Sequence, residues 1–267
     1  VSERGIIDWI RKHAPSFGTG VRVGIGDDCA VYRPVAGEEL VFTTDFTIEG
    51  RHFTLGDYSP RDVGYKALAR GLSDIAAMGA EARFALVSLA VPDASFVKPF
   101  FGGLFGLARK YGVTVAGGDL SRSEKVHVDI VVCGSVPRGK ALLRSGAKPG
   151  DWLYVTGPLG VWKKRPKPRL DLVEIVRREA HAAMDITDGL SMDLDRLLVA
   201  SGVTCEITAA PPVCRGATLE DAWHRGEDYE LLIASPKRLG KPFHEIGLVC
   251  AGRPGSPVPP KGWDHFG

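Results

Sequence analysis

The stretch Leu40-Val41-Phe42-Thr43-Thr44-Asp45-Phe46 is apolar and β-branched, and the next strong signal along the chain is Ser59-Pro60-Arg61-Asp62. The first predicts a buried strand. The second is a helix start: a capping serine, a proline at the first helical position and an acid three residues beyond the cap. Val63, Ala67, Leu68, Leu72 and Ile75 then recur at helical spacing, which predicts one buried face on a helix ending near Gly79. A strand handed on to an amphipathic helix confines the chain to mixed layers of sheet and helix, because each must bury its apolar face against the other. The alternation continues with a strand expected over 84–91, a helix over 96–111, and strands over 113–116 and 126–136. This half reads as an α/β or α+β unit.

Lys148-Pro149-Gly150-Asp151 is a turn and Trp152–Thr156 opens a new strand, so the domain boundary is expected there, dividing 1–148 from 149–267. In the second half a helix is expected over 170–180, a strand over 182–186, a helix from near Ser191, and strands over 203–207, 229–234 and 246–249. The Pro- and Gly-rich tail from Arg253 to Gly262 reads as a loop leading into an ordered aromatic cluster.

A chain of 267 residues, 44% hydrophobic and 25% charged, can bury cores for two domains. Its 34 basic and 32 acidic side chains are scattered, giving a net charge of +2 and no basic footprint for nucleic acid. Residues 1–10 lack the apolar core of a signal peptide, and no apolar run is long enough to span a bilayer, so a cytoplasmic protein without a membrane partner is expected. The five cysteines form no C-x-x-C pair and are odd in number, which predicts reduced thiols, mostly in the core.

Seven aspartates sit beside glycines or at the ends of apolar strands: Asp27, Asp28, Asp45, Asp74, Asp119, Asp185 and Asp188. One Gly-Asp or Asp-Gly pair is ordinarily a turn. Repetition after Leu40–Thr44, on the helix at Asp74 and after Val113–Ala116 asks for another explanation. Carboxylates beside small residues can converge on a hard cation such as Mg²⁺, and glycine lets a phosphate approach the backbone. Several acids imply more than one metal, with a polyphosphate substrate supplying further oxygen ligands. Gly134-Ser135-Val136-Pro137-Arg138-Gly139-Lys140-Ala141 matches the spacing of a phosphate-binding loop but ends in Ala141, which has no hydroxyl for a metal, and carries a proline inside. It is read as a turn, which leaves the carboxylates as the nucleotide-binding device.

In chain order, Gly24-Ile25-Gly26-Asp27-Asp28-Cys29-Ala30, Thr43-Thr44-Asp45, Glu49-Gly50-Arg51-His52-Phe53, Ser73-Asp74-Ile75-Ala76-Ala77-Met78-Gly79-Ala80, Gly117-Gly118-Asp119, Arg144-Ser145-Gly146, Asp185-Ile186-Thr187-Asp188-Gly189, Gly226-Glu227-Asp228-Tyr229-Glu230-Leu231 and Lys261-Gly262-Trp263-Asp264-His265-Phe266 together resemble thiamine-monophosphate kinases over nearly the whole chain. The acidic segments are shared with aminoimidazole ribonucleotide synthetase and selenophosphate synthetase; the His52, Glu227 and tail segments look specific to the thiamine enzymes. The resemblance implies a two-domain aminoimidazole ribonucleotide synthetase-like architecture. An N-terminal α/β (α+β) domain binds ATP and Mg²⁺ and dimerises through its sheet, a C-terminal α/β domain follows, and ATP lies in a cleft between domains. It also implies a homodimer that phosphorylates thiamine monophosphate to thiamine diphosphate with ATP and several Mg²⁺ ions. By the same resemblance, Asp28, Thr43, Thr44, Asp45, Asp74, Asp119, Asp185 and Asp188 look like Mg²⁺ ligands. Gly118, Asp119, Arg144 and Thr187 look like ATP contacts, and His52, Glu227 and Trp263 substrate contacts; Asp27 supports the ligands from behind. No enzyme nucleophile is implied, since an anionic phosphate oxygen of the substrate can attack ATP directly.

The sequence departs from that family between Thr156 and Ala182. Gly157-Pro158-Leu159-Gly160-Val161-Trp162-Lys163-Lys164 leads at once to Arg165-Pro166-Lys167-Pro168-Arg169, where the family carries a longer helical segment. A superfamily enzyme with another substrate would keep the carboxylates and lack the set His52, Glu227 and Trp263. A catalytically silent nucleotide-binding protein would be expected to have lost an acid, and none is missing.

Overall fold

Residues 2–263 are described by a computed structural model, in which the chain divides into two units: Val1–Ile75 with Glu81–Gly139, and Ala76–Ala80 with Lys140–Gly267. In the first unit the β-branched stretch forms strand β3, Glu38–Ile48. After it come helix α2 (Pro60–Ala77), β4 (Glu81–Val91), helix α3 (Val97–Tyr111), β5 (Thr114–Arg122) and β6 (His127–Pro137). The sheet order is β3-β6-β4-β5. β6 runs antiparallel to both β3 and β4, while β4 and β5 are parallel and joined through α3.

The cap expected at Ser59 forms: Ser59 Oγ accepts from Asp62 N at 3.2 Å, and Asp62 Oδ2 accepts from Ser59 N at 3.1 Å. The apolar stripe of α2 is buried, Val63, Ala67, Leu68 and Leu72 being 0% exposed. Where α2 meets α3 the backbones nearly touch. A Cβ on Gly64 would lie 2.0 Å from the Phe100 carbonyl oxygen and one on Gly103 1.9 Å from that of Arg61, so only glycine fits at either position.

Periodicity assigns nothing before Leu40, yet three elements lie there: helix α1 (Glu3–His13) and the short pair β1 (Val21–Val23) and β2 (Val31–Tyr32). Helix α1 buries only Ile6 and Ile10, one turn apart, and its cap is Ser2, whose Oγ accepts from Gly5 N. Val21, Ala30 and Tyr32 pack against Phe84, Ala116 and Cys133 of the sheet. Strand β5 runs to Arg122, through Gly117-Gly118-Asp119, beyond the expected end at 116. Gly118 makes this possible, since a Cβ there would meet the Val87 carbonyl oxygen at 1.9 Å.

The second unit is a five-stranded antiparallel sheet in the order β8-β10-β7-β11-β9, formed by β7 (Trp152–Val155), β8 (Ala182–Asp185), β9 (Thr204–Ile207), β10 (Leu231–Ser235) and β11 (His244–Cys250). Alternation along the strands divides its core. Leu153, Val155, Met184 and Leu232 pack with Leu194, Leu197 and Leu198 of helix α5 (Leu190–Ser201). Tyr154, Ala183, Leu231 and Ile233 pack with Val173 and Val176 of helix α4 (Val173–Glu179). Helix α6 (Leu219–His224) is too short for a periodicity signal but carries a capping box between Thr218 and Asp221. The expected aromatic cluster of the tail lies partly outside the described residues, which end at Trp263. Cys133 and Cys205 are buried, Cys214 and Cys250 half-buried, and Cys29 exposed. No helix among the described residues is long and apolar enough to cross a membrane.

Candidate functional site

In the first unit the strand alternation of β3 sorts the expected ligands onto two faces. Thr43 and Asp45 face α2: Thr43 Oγ1 donates to Asp74 Oδ2, and Asp45 Oδ1 accepts from Arg70 Nη2 at 3.3 Å. Arg70 and Asp74 stand one turn apart on α2, so a single helix face presents both partners. Burial pushes the Asp45 carboxyl up to about 7, opposed by the Arg70 guanidinium and reinforced by the neighbouring charge of Asp74. Thr44 points to the other face, with Phe42 and Phe46, and its Oγ1 donates to Asp129 Oδ1 at 2.6 Å.

On that other face, and around the β5 edge, a cavity of about 730 Å³ is lined by Asp27, Asp28 and Cys29 from the loop after β1 and by Gly117, Gly118 and Asp119 from β5. Asp28, Gly118 and Asp119, distant in sequence, thus share one concavity. Asp27 turns back on the chain, its Oδ1 accepting from Asp28 N at 2.9 Å. Phe84, Leu86 and Val131 give it apolar walls, with Glu3 and Ser88 as further polar groups.

His52 follows β3, and its Nδ1 accepts from Ile48 N at 3.0 Å. In the neutral ring this places the proton on Nε2. Lys66 Nζ, buried on α2, donates to the His52 carbonyl at 3.0 Å and lies 5.2 Å from the Tyr58 ring centroid.

In the second unit, Asp185 ends β8, buried, and Ile186-Thr187-Asp188-Gly189 turns into α5. Asp193, one turn into that helix, gathers the turn: its Oδ2 accepts from Thr187 N at 2.9 Å and Asp188 N at 3.1 Å. Arg196 Nη1 donates to Asp193 Oδ1 at 2.9 Å and to Asp188 Oδ2 at 2.5 Å. Burial pushes the Asp193 carboxyl up to about 6 against these hydrogen bonds.

Two distant segments close on the same turn. Glu227 N donates to the Thr187 carbonyl at 2.7 Å, Tyr229 N to that of Ile186 at 2.9 Å, and Trp263 N to that of Asp188 at 3.0 Å. Tyr229 Oη donates to Glu227 Oε1 at 3.0 Å. Glu227 and Tyr229 are non-glycine residues with φ of 60° and 56°, in the left-handed region. Strain of this kind clusters where structure serves a site. Thr187, Asp188, Glu227 and Trp263 therefore occupy one corner. Arg144 stands apart from it: its carbonyl accepts from Ser201 Oγ at the last residue of α5, whereas the Thr187–Asp188 turn precedes the first.

Among the described residues no group of three or more His, Cys, Asp or Glu side chains is placed to hold a metal ion by itself. The acids are gathered within each unit: Asp45 with Asp74, Asp27, Asp28 and Asp119 around one cavity, and Asp188 with Asp193. Sequence reasoning assigned no role to Arg70, Asp129, Asp193 or Arg196. The i, i+3 spacing of Asp193 and Arg196 on a helix following Asp188 was a usable signal.

Two domain families match the chain: AIR synthase related protein, N-terminal domain, over residues 26–136, and AIR synthase related protein, C-terminal domain, over 163–246. Thiamine-monophosphate kinase of Salmonella typhimurium is 36% identical over 302 residues, covering 92% of each chain. A crystal structure of thiamine-monophosphate kinase from Stenotrophomonas maltophilia superposes with a TM-score of 0.85 at 29% identity, covering 98% of both chains. AaThiL complexed with AMPPCP and TMP superposes with a TM-score of 0.80 at 34% identity, covering 99% of this chain and 97% of that one. The chain belongs to the thiamine-monophosphate kinase family.

Proposed function

We propose that the chain uses ATP to phosphorylate thiamine monophosphate, giving thiamine diphosphate. The observation that carries this reading is the corner of the second unit where the Thr187–Asp188 turn meets Glu227 and Trp263. It joins an acidic segment to Glu227 and Trp263, two of the three residues whose segments look specific to the thiamine enzymes. The family relationship supports the same reaction, and a similar solved structure is of AaThiL complexed with AMPPCP and TMP.

The oxygen-only donor sets fit Mg²⁺, a hard cation that takes carboxylates, hydroxyls and phosphate oxygens. The close approach of the Asp45 and Asp74 carboxylates beside the Thr43 hydroxyl is the structural sign of fit, since a cation there would neutralise both charges. Asp28, Thr43, Thr44, Asp45, Asp74, Asp119, Asp185 and Asp188 are the residues that would hold several such ions. Bound Mg²⁺ supplies charge neutralisation to the polyphosphate. In this reading Gly118 and Asp119 offer the open backbone and carboxylate toward ATP, with Thr187 and Arg144 as further contacts. Arg144, an exposed fork of donors, suits phosphate oxygens. His52 donates Nε2–H and Glu227 accepts from the substrate, while Trp263, 39% exposed, offers a face for the cationic thiazolium. The terminal phosphate oxygen of thiamine monophosphate attacks the γ-phosphorus of ATP in line, with no enzyme nucleophile.

A homodimer through the sheet of the first unit, in the cytoplasm, completes the reading. Phe42 and Phe46, 62% and 59% exposed on the edge strand β3, form an apolar patch that a second copy would cover. The purified chain incubated with ATP, Mg²⁺ and thiamine monophosphate should form thiamine diphosphate, resolved by chromatography, only when all three are present. ATP binding without product would reject this substrate.

A further inference from the structure

The segment from Thr156 to Arg169 folds back onto residues 228–230. Lys163 Nζ donates to Glu230 Oε1 at 3.1 Å and to the carbonyl of Asp228 at 3.1 Å. Thr156 Oγ1 donates to Glu230 Oε2 at 2.8 Å, and Arg169 Nη1 lies 3.4 Å from that oxygen. Gly160 N donates to Asp228 Oδ1 at 2.8 Å, tying the segment to the same loop a second time. Gly157 is held to glycine by this approach, since a Cβ would lie 2.8 Å from the Glu230 carboxylate.

The position of the Asp228 carbonyl matters because it lies between the two left-handed residues, Glu227 and Tyr229. Such backbone conformations persist only where the surroundings hold them. The ends of the loop are held by Glu227 N and Tyr229 N on the Thr187 and Ile186 carbonyls. Its middle is held by Lys163. Glu230 keeps Arg169 and Thr156 when Lys163 is removed, so the buried carboxylate stays paired and the core need not open.

We infer that Lys163 is a positioning residue for Glu227: its ammonium fixes the Asp228 carbonyl and thereby the direction in which the Glu227 carboxylate is presented to thiamine monophosphate. The inference rests on the reading of Glu227 as a substrate contact.

The test is Lys163→Met in the full chain, with thiamine monophosphate and ATP varied separately, alongside Lys163→Arg and Glu227→Gln. Lys163→Met should raise KM for thiamine monophosphate about tenfold while KM for ATP and kcat stay within about threefold and Tm within about 3 °C. Lys163→Arg, which keeps a cation, should restore most of the loss. An unchanged KM for thiamine monophosphate, or a rise in both KM values together with a large fall in Tm, overturns the inference. If Glu227→Gln leaves that KM unchanged, the reading of Glu227 itself fails. Amide hydrogen exchange at Glu227 and Tyr229 then judges the anchor independently: faster exchange in Lys163→Met sustains it and unchanged exchange removes it.

Discussion

Trp263 donates its backbone N–H to the carbonyl of Asp188 at 3.0 Å, so the tail is fastened to the acidic turn that opens α5. The fit leaves no room for a side chain beside it: a Cβ on Gly262 would lie 2.1 Å from the same carbonyl oxygen. The indole is thereby presented at the corner shared by Thr187, Asp188 and Glu227. If that face receives the thiazolium, Trp263→Ala should raise KM for thiamine monophosphate about tenfold, the loss of one cation–π contact, with KM for ATP nearly unchanged. Steady-state kinetics with each substrate varied in turn checks this; equal effects on both would place Trp263 elsewhere.

Asp45 gives a pH prediction. Its carboxyl is raised from 3.8 to about 7 in the folded chain, so between those values the folded state holds a proton that the unfolded state has released. Without divalent cations, the Asp45 contribution therefore makes stability fall as pH rises through that window, and Asp45→Asn should flatten the dependence. The same variant should lose about 100-fold or more in turnover, as expected for a group that stabilises charge in phosphoryl transfer. Urea unfolding from pH 4 to 8 and product assays at pH 7.5 measure the two effects. A variant that is both destabilised and active would contradict the assignment.

Asp193 is expected to act through the turn it gathers. Asp193→Ala leaves Thr187 N and Asp188 N without their acceptor and should cost about 1–3 kcal/mol in urea unfolding. Asp193→Asn keeps an acceptor oxygen and removes a charge that burial disfavours, so it should cost less. Equal destabilisation by the two variants would show that the charge, through Arg196, carries the role.

At the crossing of α2 and α3, Gly64→Ala and Gly103→Ala should each lower stability by about 3 kcal/mol, because the new methyl must displace backbone. Thermal unfolding checks this. A change within about 1 °C would mean the helices part easily.

Most strands and long helices were readable because β-branched runs and helical periodicity mark them directly, as at β3 and α2. Helix α1 was not, since its two buried isoleucines sit among charges, and the end of β5 was hidden by two glycines whose use becomes apparent only against Val87. At the site, the residue types and their order were legible, but their grouping was not. Alternation along β3 separates Thr44 from Thr43 and Asp45, although all three lie in one short motif. The joining of Glu227 to Thr187, of Trp263 to Asp188 and of Lys163 to the Asp228 carbonyl depends on hydrogen bonds made across the fold, which no local pattern encodes.

The central claim is direct transfer from ATP to thiamine monophosphate, and the most direct measurement follows the phosphoryl group itself. With ATP labelled at the γ-phosphate, the label should appear in the terminal phosphate of thiamine diphosphate, and protein incubated with ATP and Mg²⁺ alone should stay unlabelled. Labelled protein that passes its label to thiamine monophosphate, or thiamine monophosphate left unlabelled while ATP is consumed, would contradict it.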